Sequence, residues 1–476
     1  MSLDFRTIQF GKTDGNEEAS IYPVLLTKGY FDIMEVAEKA LCSEIFLFLG
    51  YKGSGKSALS EHLNLRAKPA GSEIVHPQFL NRFPYKLFNK VVKGQAETEA
   101  KYPLAWEWVF LVYCMYAFDE DCSAMCNLNH EWQATIEELK KAQLFPVSNI
   151  TDIVKIAHKN TFTVGVPPIL GYKYERTAEK GFDTGLCIKL LKDLIKEIRT
   201  DNRHYLVIDG LDDFISSREV QQKTIIALIN TAKDINKWFR DNIVPFKVIV
   251  LCRTDIFDRL SDPNKNKIKR DSSFTFTWFD ESEADDYASS NLIALANLRA
   301  RLKYPEIEDV FKTFFPKDFD GTNIYQALLD YTRHTPRDFL QLLNEIQNSC
   351  SSENVSPRNI TSGIKRYSSE YFLGEIRDEL AGYVSADNIE LTIDLLSRLR
   401  KTTFNFIDIQ QLADRDNKYH NLDLEEVFRV LFECSAIGHI RGDEDKNYFK
   451  YRNPHMTFNK FDRIKLHKGL WKVLVT

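Results

Sequence analysis

An α/β fold with a parallel sheet at its centre is what this 476-residue sequence predicts, from apolar runs that each end in a chemically distinctive turn. The first run is Ile45-Phe46-Leu47-Phe48-Leu49, followed by Gly50-Tyr51-Lys52-Gly53-Ser54-Gly55-Lys56-Ser57. The second is Tyr205-Leu206-Val207-Ile208, which ends on Asp209. The third is Val248-Ile249-Val250-Leu251-Cys252, which ends on Arg253. Short continuous apolar runs are the mark of strands buried on both faces of a parallel sheet. In open sheets of this class, ligands gather at the C-terminal ends of the strands.

Residues 50–57 read G-x-x-x-x-G-K-S, with a strand before them and helical Ala58-Leu59-Ser60-Glu61-His62-Leu63 after them. That is the context a phosphate-binding loop requires. Its glycines let backbone N–H groups turn toward phosphate oxygens where a side chain would block the approach. Lys56 can bridge the terminal phosphates, Ser57 can ligate Mg²⁺, and the helix start at Ala58 adds partial positive charge. Asp209 is the matching carboxylate for the Mg²⁺ shell. Asp212 and Asp213 follow it, and either could polarise an attacking water for in-line phosphoryl transfer. The plain alternative is a strand ending in a solvated acidic turn. Arg253 is placed to sense a γ-phosphate, since a guanidinium suits a phosphate oxygen. A surface arginine after a strand is the competing reading.

These motifs resemble the AAA+/STAND branch of P-loop ATPases, which shows such a glycine loop, an acidic strand ending in a D-G-L-D-E pattern and a strand ending in Ser/Thr-Arg. Here the matching residues are Gly50 to Ser57, Asp209-Gly210-Leu211-Asp212-Asp213 and Leu251-Cys252-Arg253-Thr254. Asp213 stands where Glu is usual, which puts the catalytic rate in question more than binding. The resemblance implies ATP as the nucleotide, with Mg²⁺. It is closer to bacterial P-loop ATPases of prophage and antiviral-defence contexts, on Phe449-Lys450-Tyr451-Arg452-Asn453-Pro454 and His467-Lys468-Gly469-Leu470-Trp471-Lys472. Arg333-His334-Thr335-Pro336-Arg337-Asp338-Phe339-Leu340 is similar to the sensor segment of the small helical lid in these ATPases, with His334 where glycine is common. Arg337 is thereby the expected lid arginine, against a plain helix-start residue. Residues 261–270 read as a polar loop before a last edge strand. Arg270 falls where oligomeric relatives present an arginine to a neighbour's site, and a mobile basic loop explains it equally well. The resemblance also implies a homo-oligomer or a partner effector protein.

Bulk properties narrow the function classes. The net charge of −5 exerts no general pull toward nucleic acid. The first residues lack the apolar core of a signal peptide, and the eight cysteines form no C-x-x-C pair, so a cytoplasmic protein is expected. The apolar stretch 102–118 contains Pro103 and Glu107 and is short for a membrane span, so it reads as a buried amphipathic helix. Cys122, Cys126 and His130 fall at helical spacing, which would suit a metal, but no second ligand pair follows; packed cysteines are the expectation.

Three domains are expected: a nucleotide-binding domain over 1–280 with an insertion at about 100–185, a helical lid over 281–383 and a winged-helix-like domain over 384–476. The first 21 residues read as a loosely held arm. In the last domain, helices over 388–400, 406–413 and 424–435 precede a hairpin of 437–441 with 448–452. The third helix carries Glu425, Glu426 and Glu433 against a single Arg429, which is poor provision for phosphate neutralisation. Lys460, Arg463, Lys465, Lys468 and Lys472 read as a basic tail on a solvated face. The leading functional expectation is therefore a nucleotide-driven ATPase switch. A DNA-handling AAA+ ATPase and a non-hydrolysing, nucleotide-bound scaffold stand as alternatives.

Overall fold

The computed structural model describes residues 3–70, 72–80, 83–88, 98–141, 143–145, 149–159, 184–211, 219–280, 286–442 and 446–475. By its contacts the chain forms two compact units. One comprises 35–50 and 59–275; the other comprises 1–34, 51–58 and 276–476.

The first unit is built on a five-stranded sheet. Its elements run β1 (Leu47–Gly50), α1 (Lys56–Ala70), β2 (Glu73–Phe79), α2 (Thr98–Asp119), β3 (Arg203–Asp209), α3 (Glu219–Asp241), β4 (Phe246–Arg253), α4 (Lys265–Ser272) and β5 (Ser273–Thr275). The order is β2-β3-β4-β1-β5, and every pairing is parallel. The strand carrying Arg253 therefore lies between the glycine-loop strand and the Asp209 strand. Gly50 pairs with Arg253 in register. This is the P-loop α/β fold with its expected strand arrangement. Strand β2 was not evident from sequence, because Pro77 and alternating polar residues disguise it; an edge position tolerates both.

Alternation along the strands builds the layers. Leu206, Ile208, Val248 and Val250 join one apolar cluster with α2 and α3. On the opposite face, Tyr205 donates its hydroxyl to Leu41 O at 3.3 Å, and Lys247 donates to Ala40 O at 2.6 Å. Both carbonyls belong to the helix Val36–Cys42 or its end. Helix α2 is not amphipathic, contrary to the sequence reading. Ala105, Trp106, Val109, Phe110, Leu111 and Val112 cover all sides of it and all are buried. Trp106 donates to Thr224 O of α3 at 2.9 Å, and Glu107 pairs with Lys192. Among the described residues no helix is long and apolar enough to cross a membrane.

Two further expectations fail here. The polar segment before β5 is helical (α4), because residues 265–272 lack any breaker after Pro263 and Asn264. Cys122, Cys126 and His130 do not share a helix: Cys122 sits in a turn, Cys126 in a 3₁₀ turn, and His130 begins the next helix. Among the described residues no cluster could hold a metal ion.

The second unit joins the N-terminal segment, the glycine loop, the lid helices and the winged helix. The N-terminal segment is not a loose arm. Phe5, Ile8 and Phe10 are buried, Gln347 donates to Phe5 O at 2.7 Å, and Glu18 pairs with Arg299 at 2.7 Å. Its three apolar anchors are too widely spaced among polar residues to register as a periodic element. The lid comprises α5 (Asn291–Lys303), α6 (Pro336–Asn348) and α7 (Leu373–Ala381), with Pro357–Arg366 leading through a π-helical turn, Tyr367–Phe372, into α7.

The winged helix follows: α8 (Ala386–Leu399), β6 (Thr403–Phe404), α9 (Phe406–Ala413), α10 (Leu424–Glu433), β7 (Ile437–Arg441), β8 (Lys446–Tyr448), β9 (Arg463–Leu466) and α11 (Lys468–Leu474). Its sheet order is β8-β7-β9-β6. A hairpin forms, but its second strand is Lys446–Tyr448 rather than 448–452, pairing with Arg441, Ile440 and His439; the tip residues 443–445 lie outside the described residues. The expected basic tail is instead strand β9 and helix α11, because Ile464, Leu466, Leu470 and Leu474 alternate with the cations and are buried.

Histidines in both units are buried in the neutral form. His467 accepts the Gly469 N–H at Nδ1, so Nε2 carries the proton toward Thr332 O at 3.2 Å. Burial pushes its pKa down to about 3. Burial likewise lowers His76 to about 4, beside His204. Both values lie below the ordinary 6.5, so the unfolded chain binds protons that the fold refuses. This contribution to stability is complete above about pH 6.5 and is lost as the pH falls toward the folded values. Melting temperature should therefore decline steadily from pH 7 to pH 4. A flat profile across that window in a thermal melt would contradict the assignment.

Candidate functional site

The glycine loop leaves β1 at Gly50 and enters α1 at Lys56. Two of its residues have left-handed backbone, Gly53 with φ 80° and Gly55 with φ 99°. A Cβ on Gly55 would meet nothing within 4 Å, so the space beside the loop is open there. A Cβ on Gly53 would lie 3.0 Å from Arg337 Cβ and 3.3 Å from Thr335 Oγ1. Gly53 is thus required twice, by its φ and by the approach of α6.

The start of α6 explains that approach. Thr335 is the N-cap and accepts the Asp338 N–H at 3.3 Å; Pro336 follows at the first helical position. The next free helix N–H, on Arg337, donates to Gly53 O at 3.3 Å. Trp278 donates its indole N–H to Ser54 O at 2.8 Å. Ser54 Oγ is buried without a hydrogen-bond partner among the described residues. Lys56 is 7% exposed and turns its ammonium back onto Tyr51 O at 3.1 Å. Gly15 of the N-terminal segment packs on the start of α1; a Cβ there would lie 3.1 Å from the Ala58 nitrogen and 3.3 Å from the Ser57 carbonyl carbon.

Charged groups surround the lid side of the loop. Lys52 pairs with Glu375 and Asp378 of α7, each at 3.2 Å. Arg337 lies 3.7 Å from Glu375. Arg333 is buried and grips Asp338 with two side-chain hydrogen bonds of 2.8 and 3.0 Å, and Tyr371 donates to the same carboxylate at 2.9 Å. Burial opposes ionisation of Arg333, yet Asp338 holds the guanidinium firmly protonated.

On the sheet, β1, β3 and β4 end along one edge. Asp209 is 4% exposed, and its Oδ1 accepts the Gly210 N–H at 2.7 Å. Arg253 is held by a bidentate pair with Asp255, at 2.9 and 2.7 Å. Arg270 is on α4, 84% exposed, and pairs with Asp271 at 3.0 Å. Asp212 and Asp213 lie outside the described residues. Of the sequence candidates, Arg337 and the loop residues come together. Glu375, Trp278 and Gly15 were missed, since none belongs to a motif and each acts through a contact distant in sequence.

Comparisons with known proteins add little. Residues 290–373 match the FunZ-associated C-terminal helical domain. Comparison with curated proteins returns no match. Among solved structures, the Aeropyrum pernix ORC1 protein in complex with DNA is similar at 13% identity and TM-score 0.33, over 91% of this chain and 86% of that one. Cdc6p from Pyrobaculum aerophilum is similar at 11% identity and TM-score 0.33, over 98% and 95%. Similarity this low assigns no function.

The two loop glycines should respond differently to alanine. Gly53→Ala should destabilise the chain by about 2 kcal/mol or more, from the left-handed φ and the overlap with α6. Gly55→Ala should cost only the φ term, about 1–2 kcal/mol. Thermal melts of both variants check this; equal losses would mean that α6 does not constrain Gly53.

Proposed function

We propose that the chain is an ATP-binding and hydrolysing switch of AAA+/STAND type, which controls assembly or a partner effector in bacterial defence. The observation that carries the reading is the glycine-turned loop that leaves the end of a parallel strand, with left-handed Gly53 and Gly55 and open space beside Gly55. Backbone N–H groups of residues 50–58 would hold the phosphates. Lys56 would exchange Tyr51 O for a phosphate oxygen, replacing a neutral acceptor by a charged one. Ser57 and Asp209 would hold Mg²⁺, which neutralises developing charge on the phosphates. Asp212 or Asp213 would polarise the attacking water. Arg253, oriented by Asp255, and Arg337 would read the γ-phosphate. Arg270, exposed on α4, would serve a neighbouring copy in a homo-oligomer. Residues 1–280, 281–383 and 384–476 then serve as nucleotide-binding domain, lid and output domain.

The charges of the winged helix favour a protein contact over DNA handling. Lys460 pairs with Glu425 at 2.8 Å, Arg429 with Glu426, Arg441 with Asp462, and Lys468 with Asp320 at 3.6 Å. Phosphates of a duplex would have to displace these carboxylates. Filter binding to duplex and single-stranded DNA at two salt concentrations tests the DNA reading, which salt-sensitive binding would restore.

Calorimetry with Mg-ATP should give a saturable heat, weakened at least about tenfold by Lys56→Ala with the melting temperature retained. No heat with wild type would overturn the reading. Wild-type turnover should exceed that of Asp212→Ala/Asp213→Ala; equal rates with intact binding would leave the non-hydrolysing scaffold.

A further inference from the structure

Three cations converge on one carboxylate oxygen of the lid. Glu375 Oε2 lies 3.2 Å from Lys52 Nζ, 3.7 Å from Arg337 Nη1 and 3.8 Å from Arg333 Nη2. That oxygen is buried and forms no hydrogen bond among the described residues. Its partners are unequally committed. Arg333 is bound to Asp338 by two short hydrogen bonds and lies 3.8 Å from Glu379 as well. Lys52 has Asp378 as a second partner. Among the described residues Arg337 has Glu375 alone as an ion-pair partner, at a distance too long for a hydrogen bond. Its backbone, however, is fixed against the loop through Gly53 O. The guanidinium is therefore anchored at its base beside the phosphate site and loosely held at its tip.

We propose that Glu375 is the positioning residue for Arg337: its carboxylate holds the guanidinium in the nucleotide-free chain and yields it to the γ-phosphate when a nucleoside triphosphate enters the loop. This rests on the reading of residues 50–58 as a nucleotide site. A bidentate arginine–phosphate pair outweighs an ion pair at 3.7 Å without hydrogen bonds. Glu375 keeps Lys52 and Arg333 after the exchange, so no buried charge is left uncompensated. A diphosphate lacks the group that attracts Arg337 and leaves the pair in place. Glu375 thus competes with triphosphate alone, and the exchange changes the charge balance on α7 only when the γ-phosphate is present.

Calorimetric titration of the full chain with Mg-ATP and with Mg-ADP tests this. Glu375→Gln keeps the shape and removes the charge; it should tighten Mg-ATP about fivefold and leave Mg-ADP within about twofold. Asp378→Asn, which touches Lys52 and not Arg337, should leave the ATP-to-ADP ratio unchanged. The gain should vanish when Glu375→Gln is combined with Arg337→Ala. An unchanged ratio in Glu375→Gln, or a gain that survives the loss of Arg337, overturns the proposal while wild-type binding upholds the nucleotide site. Wild type silent toward both nucleotides overturns the site itself. Should Glu375→Gln fail to fold, Arg337→Ala alone decides: it must lower the ATP-to-ADP ratio, and an unaltered ratio refutes the role.

Discussion

The hydrogen bond from Arg337 N–H to Gly53 O is the contact on which the surroundings of the loop depend. A helix begins with unpaired N–H groups that need acceptors. Here α6 takes one from its own Thr335 cap and another from the loop. The loop can offer that carbonyl only by turning through positive φ at Gly53, and only a residue without Cβ lets the helix come so close. The same turn carries Ser54 O to the indole of Trp278 and Lys52 to the acids of α7. Loop shape and lid position are therefore one constraint, written in hydrogen bonds that water would otherwise contest.

That constraint extends to the winged helix within the same compact unit. Residues 332–338 form the crossing point. Thr332 O receives His467, and the His334 ring stacks on Tyr451 with centroids 5.0 Å apart. Asp330 pairs with Arg452 at 3.2 Å. His334 has φ 50°, an uncommon conformation for a side chain of that size, and it is kept there by aromatic contacts on both sides, from Phe279 and Tyr451. A ligand at the loop could bias the winged helix only through differential contacts, and this short segment touches both.

The parts of the fold legible in sequence were those with strong local grammar. Three buried strands announced themselves by apolar runs, the phosphate loop by its glycines and lysine, and the lid helix by Thr335-Pro336. What stayed hidden depended on partners far along the chain. Strand β2 borrows its regularity from β3, and β9 conceals Ile464 and Leu466 among lysines and arginines. The N-terminal anchors Phe5, Ile8 and Phe10 are meaningless until Phe314 and Phe315 meet the Phe5 ring and Gln347 meets the carbonyls of Phe5 and Ile8. At the candidate site, the sequence pointed to the glycine loop and to Arg337, which the fold brings side by side. It did not point to Glu375, because an acid in a helix says nothing until the cations that meet it are folded into place.

The division of the chain carries a consequence for the cost of its folding. The unit that owns the loop is discontinuous, interrupted by the whole of the sheet unit. Glu18 finds Arg299 at a sequence separation of 281, and Phe5 N–H finds Glu353 O farther still. Contacts this distant in sequence carry a loop-closure cost that the local helices do not, and they slow folding. The topology thus divides the closures unequally: the sheet unit spans residues 35–275 with only the loop excised, while the unit that holds the loop must bring residues 1–34 to partners beyond residue 275.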